Sequence, residues 1–188
     1  MAKTPSVDQT TLENALYWLQ ALVCQGERVA EAWTHQEGRH YPFLTVRMME
    51  EQFFLAACNK ARRWVEKLAK LVDDETPLRA FLTAIREAKV VRDKREHDDE
   101  YFGAGAKYPE EPAHDVQSTS PVQLNVGTSC TVLTDGKLLL GGIFDVAEGM
   151  RAARELAGIL RHQQHAYWDS RSKGHCEHFK APERLIGS

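Results

Sequence analysis

From Asp8 to about Trp33, apolar residues recur every three or four positions: Leu12, Ala15, Leu16, Leu19, Leu22, Val23, Val29, Ala30 and Trp33. That spacing predicts one long helix with a single buried face, which Ser6 or Asp8 can cap. Gly38 and Pro42, set among polar residues from Thr34 onward, break the pattern and predict a connection. A second long helix is predicted over about Leu44 to Val72, with Met48, Met49, Phe53, Leu55, Ala56, Ala61, Trp64, Val65, Leu68 and Leu71 as its apolar set. The third starts at the cap-like Asp73-Asp74-Glu75-Thr76, places Pro77 at its first position, and runs through Leu78, Phe81, Leu82, Ile85, Ala88 and Val91 to near Phe102.

The stretch 103–127, with Gly103, Gly105, Pro109, Pro112 and Pro121, carries no periodic signal and is unusually long for an idle loop, so it is expected to be mobile or draped over a surface. Within 128–144, β-prone runs flank Asp135-Gly136, a strong signal for a two-residue hairpin turn. Asp145 reads as the N-cap of a last helix that buries Val146, Ala147, Met150, Ala153, Leu156, Ala157, Leu160 and Ala166 and ends near Trp168. The expected fold is mainly α: a four-helix up-and-down bundle with one β-hairpin inserted before the last helix. The 188 residues are expected to form a single domain, with a core at about 8–168 and a polar, fraying tail at 169–188.

Composition narrows the function classes. At 43% hydrophobic and 27% charged the chain is of ordinary globular type. No run approaches the roughly 18 apolar residues of a membrane span, and no targeting segment is recognisable, so a cytoplasmic protein without a membrane partner is expected. Cys24, Cys58, Cys130 and Cys176 form no C-x-x-C pair and are expected to be reduced and mostly buried, the first two packing as small hydrophobes. A net charge of −3 excludes a globally basic nucleic-acid coat but leaves room for a local patch. The second helix offers one in Lys60, Arg62, Arg63, Lys67 and Lys70, where an RNA backbone could be gripped.

At the end of the third helix, Arg92-Asp93-Lys94-Arg95-Glu96-His97-Asp98-Asp99-Glu100-Tyr101 replaces the apolar period with polar residues. Asp93, His97 and Tyr101 fall on one stripe at four-residue spacing, so Asp93 or Tyr101 could fix the imidazole tautomer. Arg92 flanks that stripe. A permanently charged guanidinium beside an orientable imidazole suits phosphodiester cleavage: one stabilises phosphorane charge while the other moves protons, with no metal or cofactor needed. A second reading of the same residues is a solvated helix end, with Arg92–Glu96 and Arg95–Asp99 as ordinary i,i+4 partners.

An Arg, then Asn, Asp or His, then a His a few residues later near a helix end resembles the signature of the HEPN superfamily of nucleotide-binding helical domains. Arg92-Asp93-Lys94-Arg95-Glu96-His97 is similar to it, with Asp at the polar position and Tyr101 following. The resemblance implies a metal-independent endoribonuclease site at a homodimer interface, where the 2′-hydroxyl attacks its own phosphodiester and leaves a 2′,3′-cyclic phosphate. Arg92 would then stabilise the scissile phosphate, His97 serve as acid or base, and Asp93 orient them. RNA, a second copy and a protein regulator are the implied partners, and a toxin–antitoxin or defence role is the implied setting. The hairpin and its preceding loop depart from the minimal bundle of that family. The rival expectation is a non-catalytic helical dimer that binds a nucleotide, nucleic acid or protein, with residues 92–100 as a salt-bridge network; a third is a structural bundle without a ligand.

Other clusters are set aside. His162, His165, His175, Cys176 and His178 match no structural zinc spacing, and the Glu37/His40 and Glu111/His114 pairs contain Gly38 and Pro112, so neither suits a di-metal helix. Gly103-Ala104-Gly105 and Gly141-Gly142 lack phosphate-loop context. Trp18, Trp33, Trp64 and Trp168 read as packing residues.

Overall fold

The computed structural model describes residues 9–34, 41–96, 113–116, 124–127 and 130–176. It is mainly helical, with a small three-stranded antiparallel sheet before the last helix. Five helices are present among the described residues: α1 (Gln9–Thr34), α2 (Tyr41–Ala69), α3 (Thr76–Ala84), α4 (Arg86–Glu96) and α5 (Val146–Cys176). The strands are β1 (Ala113–Val116), β2 (Leu124–Gly127), β3 (Thr131–Thr134), β4 (Lys137–Leu140) and β5 (Phe144–Asp145).

α1 and α2 lie antiparallel. Trp18 is beside Lys60, Gln25 bonds Glu50, and Trp33 lies against Arg47 and Glu51, so one number falls as the other rises. α5 runs antiparallel to α1 on another side, with Arg154 meeting Glu27 and Arg161 meeting Gln20. The shared core is the apolar stripe of each helix: Leu19, Leu22 and Val29 of α1, Phe54, Leu55 and Val65 of α2, Phe81 of α3, Val91 of α4, and Ala153, Leu156 and Leu160 of α5, all essentially solvent-free.

Two glycines let this core close. Phe54 of α2 stacks on Phe144 of β5, with ring centroids 5.8 Å apart and planes 13° from parallel. A Cβ on Gly26 would meet Met150 Cγ at 2.5 Å and the Phe54 ring at 3.0 Å. One on Gly149 would meet Phe144 Cζ at 2.8 Å. A missing side chain on α1 and another on α5 thus make the room that the two phenylalanines fill.

The hairpin forms as the sequence predicts. β3 and β4 pair from Thr131↔Leu140 to Thr134↔Lys137. Asp135 (φ 48°) and Gly136 (φ 73°) both take the left-handed region that a tight two-residue turn between twisted strands requires. The sheet goes one strand further, since Gly141 (φ 62°) and Gly142 (φ 72°) turn the chain again and β5 pairs back on β4. Asp145 caps α5 as expected, its Oδ1 accepting from Ala147 N at 2.9 Å and Glu148 N at 3.4 Å.

Several expectations are corrected. The predicted third helix is two helices broken at Ile85, where φ −102° and ψ 10° leave the α region and Ala88 N donates to Ile85 O, three residues back. Neither Pro nor Gly causes it; α3 packs on α5 and α2, and α4 on α2 and β5. The start of α3 follows the sequence: Pro77 is in its first turn, Glu75 of the cap-like run is the N-cap residue, and Asp74 accepts from Thr76 N at 2.9 Å. Hydrogen bonding from the Thr76 hydroxyl, and then from its backbone N–H, holds the Asp74 carboxyl below its ordinary value. The stretch 103–127 is not featureless, for β1 and β2 pair antiparallel within it, Ala113↔Gly127 to Val116↔Leu124; four-residue strands fall below any periodicity window. α5 continues past Trp168 to Cys176 through Asp-Ser-Arg-Ser-Lys-Gly-His-Cys, because extending a formed helix adds a hydrogen bond for each residue fixed and needs no apolar face.

Exposure also differs from expectation. Cys58 is buried, and burial pushes its thiol well above the usual thiol range, but Cys24 and Cys130 are exposed. Cys24 lies about 200° around α1 from Leu22, away from the core. Trp18, Trp33 and Trp64 pack against the core as expected.

Two measurements check this packing. Gly26→Ala gains about 1 kcal/mol of helix propensity but loses about 1–3 kcal/mol to overpacking. The expected net loss is about 1 kcal/mol in urea unfolding, and it should shrink when Met150→Ala is added. Maleimide labelling of the folded chain, mapped by peptide mass spectrometry, should modify Cys24 and Cys130 readily and Cys58 only on unfolding.

Candidate functional site at the end of α4

α4 begins amphipathic, with Ala88 and Val91 buried, and finishes in Arg92-Asp93-Lys94-Arg95-Glu96. Its last turn is fixed by a residue that points inward. Arg95 has a side chain only 7% exposed, and its Nη1 donates to Glu51 Oε2 of α2 at 2.7 Å. Arg95 Nη2 donates to Thr131 Oγ1 of β3 at 2.9 Å and to Cys130 O at 3.3 Å. Glu51, 4% exposed at its side chain, also accepts from Thr131 Oγ1 at 2.7 Å and from Trp33 Nε1 of α1 at 2.8 Å. One carboxylate thus joins α1, α2, α4 and β3.

The neighbourhood of Trp33 is cationic as well. Arg47 lies with its guanidinium carbon 4.8 Å from the Trp33 ring centroid, and its Nε donates to Ala32 O at 2.8 Å, satisfying a carbonyl in the last turn of α1. Arg95 Nε is buried and has no hydrogen-bond partner among the described residues. The cluster therefore holds two charges out of water with one donor unmet, an arrangement that is costly to disturb on either side alone.

With Arg95 anchored, Asp93 faces outward, about 200° around the helix, while Arg92, about 60° away, sits at the edge of the buried stripe. Arg92 is 24% exposed and pairs bidentately with Glu96 of the same helix, Nε to Oε1 at 2.8 Å. Asp93 is paired with Lys89 at 2.6 Å. The Arg92–Glu96 pair is the one the sequence predicts; Arg95 finds a partner 44 residues away in Glu51, and its expected partner Asp99 lies outside the described residues. His97, Asp99 and Tyr101 lie outside the described residues, so the expected Asp93–His97–Tyr101 stripe is described only at Asp93.

The expected RNA-gripping residues divide. Lys60, Arg63 and Lys67 share one exposed side of α2. Arg62 is turned from them, its Nη2 donating to Asn59 at 3.2 Å and its Nη1 to Glu66 at 2.5 Å, and Arg95 is buried as described. At about 100° per residue, Lys60 lies on the opposite side of α2 from Glu51, so the basic row and the α4 end are not brought together.

Glu51 and Thr131 did not stand out in the sequence. A signal for the ion pair exists: Glu51 is in phase with Phe54, Leu55 and Cys58, and Arg95 is in phase with Ala88 and Val91. An acid and a base, each on an apolar stripe of its own helix, imply that they meet inside. Among the described residues no group of three or more His, Cys, Asp or Glu is arranged to hold a metal ion, and no helix is long and apolar enough to cross a membrane. The chain matches no known family, no curated protein and no solved structure.

Glu51→Ala and Arg95→Ala should each lower the unfolding free energy by about 3–5 kcal/mol in urea titration, because each strands a buried charge. The double change Glu51→Leu with Arg95→Met should cost much less than the sum of the two.

Proposed function

We propose that this chain acts on RNA from the C-terminal end of α4, as a metal-independent endoribonuclease or a regulatory relative of one of the HEPN type, with Arg92 and His97 as the working pair at a homodimer cleft. In this reading α3 and α4 together stand for the third helix of a four-helix bundle. The observation that supports it is the anchoring of that helix end. Arg95 is tied to Glu51, Thr131 and the Cys130 carbonyl, so the turn that carries Arg92 is held while Arg92 itself reaches the surface. A reacting group on a rigid, supported element is what preorganised catalysis needs.

The chemistry balances without a metal. The 2′-oxygen forms a bond to phosphorus, the bond to the departing 5′-oxygen breaks, and a 2′,3′-cyclic phosphate and a 5′-hydroxyl result. His97 takes the proton from the 2′-hydroxyl or returns one to the leaving oxygen. Arg92 holds the phosphoryl oxygens as charge builds on them. Its present partner Glu96 is 43% exposed, and pairs of that kind contribute only about 0–1 kcal/mol, so a phosphate can displace it.

A specific observation favours the non-catalytic reading as the second: Arg92 and Asp93 already have partners in Glu96 and Lys89, as a salt-bridge network would. Defined single-stranded and structured RNAs incubated with the protein in excess EDTA separate the two. Cleavage leaving 2′,3′-cyclic ends, lost in His97→Ala and reduced at least about 100-fold in Arg92→Ala, is the expected result. No cleavage across the panel would give the site to binding.

A further inference from the structure

The outer side of α2 carries a row that stands apart from the α4 end, and its cationic residues, which the sequence offers to an RNA backbone, are only half of it. Positions 46, 49, 53, 56, 60, 63, 67 and 70 recur every three or four residues, and all are exposed. At 1.5 Å per residue the row is about 36 Å long. Its halves differ in kind. The first is apolar: Val46, Met49 and Phe53 are 49%, 51% and 55% exposed, Ala56 follows, and Met48 alongside is 58% exposed. The second is cationic: Lys60, Arg63, Lys67 and, just past the helix, Lys70.

Among the described residues none of these four cations is in a salt bridge, although most other arginines of the chain are. Lys60 and Lys67 instead rest over the rings of Trp18 and Trp64, at 6.0 and 4.0 Å from the centroids. Those contacts hold the ammonium groups on this face without neutralising them. Tyr17 of α1, 64% exposed and edge-on to Trp18 at 5.2 Å, extends the rim beside Lys60.

We propose that this row docks an amphipathic helix of another protein, whose apolar positions cover Val46 to Ala56 and whose Asp or Glu positions face Lys60 to Lys70. Charge complementarity selects that occupant. A second copy laid antiparallel would cover the apolar half and leave all four cations bare, and one laid parallel would set cation against cation. The apolar half alone is also far smaller than the roughly 800 Å² per partner of a standard stable interface. A bilayer surface asks for apolar residues at one depth along the whole helix, whereas here the division runs end to end. An RNA strand would use the cations but leave the apolar half wet. A straight row at three- and four-residue spacing matches the anchors of a docked helix, which satisfies both halves at once.

The full chain is titrated into two labelled synthetic helical peptides of about 25 residues. Each carries Leu at the row positions of one half and Glu at those of the other, and the two are made in opposite order so that both orientations are sampled. Binding of one peptide is expected, weakened at least about 10-fold by Phe53→Ser and by the triple change Lys60→Glu, Arg63→Glu, Lys67→Glu. All four positions are exposed, so the variants should keep the parent's circular dichroism. A matching peptide with Lys for Glu should prefer the triple variant. The proposal is overturned if neither Glu peptide binds, or if binding ignores both sets of substitutions. It is equally overturned if the row instead supports a dimer in sedimentation that Phe53→Ser abolishes, or holds single-stranded RNA or anionic phosphatidylglycerol vesicles while neither peptide binds. His97→Ala should leave peptide binding unchanged, so the outcome is read separately from RNA cleavage.

Discussion

A carboxylate buried where four elements meet is the constraint on which the described architecture turns. Glu51 cannot leave water without partners, and it finds three: the guanidinium of Arg95, the hydroxyl of Thr131 and the indole of Trp33. Each comes from a different element, so satisfying one charge fixes the placement of α4 and β3 on the α1–α2 pair. Apolar contacts between helices tolerate sliding by part of a turn; a two-charge contact with directed donors does not. Turning Arg95 in leaves Asp93, about 200° around α4, on the outward face, while Arg92, about 60° away, sits at the edge of the buried stripe with its side chain 24% exposed.

α2 then divides the molecule's polar chemistry into two sides. One side holds Glu51 and, through it, the end of α4; the opposite side holds the exposed row from Val46 to Lys70. The sequence places all of these in one helix, and only the phase of each position separates them. Met48, Met49, Phe53 and Ala56 belong to the apolar set that the sequence predicts for this helix, yet all four are exposed, while Glu51 beside them is buried. Hydrophobicity alone misassigns such a helix, because its inner face contains a charge and its outer face contains methionines.

What was legible was local. The long helices follow from the recurrence of Leu19, Leu22 and Val29 or of Leu156 and Leu160; the hairpin from Asp135-Gly136; the start of α5 from Asp145. Each signal spans a few residues and has one physical cause. The break at Ile85 was not legible, because the apolar spacing from Leu78 to Ala88 runs through it undisturbed. The Glu51–Arg95 pairing joins residues 44 apart. β1 and β2 are too short to raise a period. At the candidate site, the sequence located Arg92 and its Glu96 partner; the support beneath them came from tertiary contacts.

Asp145 ends β5 and caps α5 in the same residue, so sheet and helix meet with nothing between them. One inserted residue there would either strip the cap from the helix or rotate α5 by about 100° against Phe144 and its glycine notch. The turn between β3 and β4 is the reverse: Asp135 and Gly136 are exposed, and a Cβ on Gly136 would touch nothing within 4 Å. The hairpin is therefore rigid in length on its helix side and open in length at its tip. Added segments, from a short loop to a whole inserted domain, have a place to enter at 135–136 and none at 145–146.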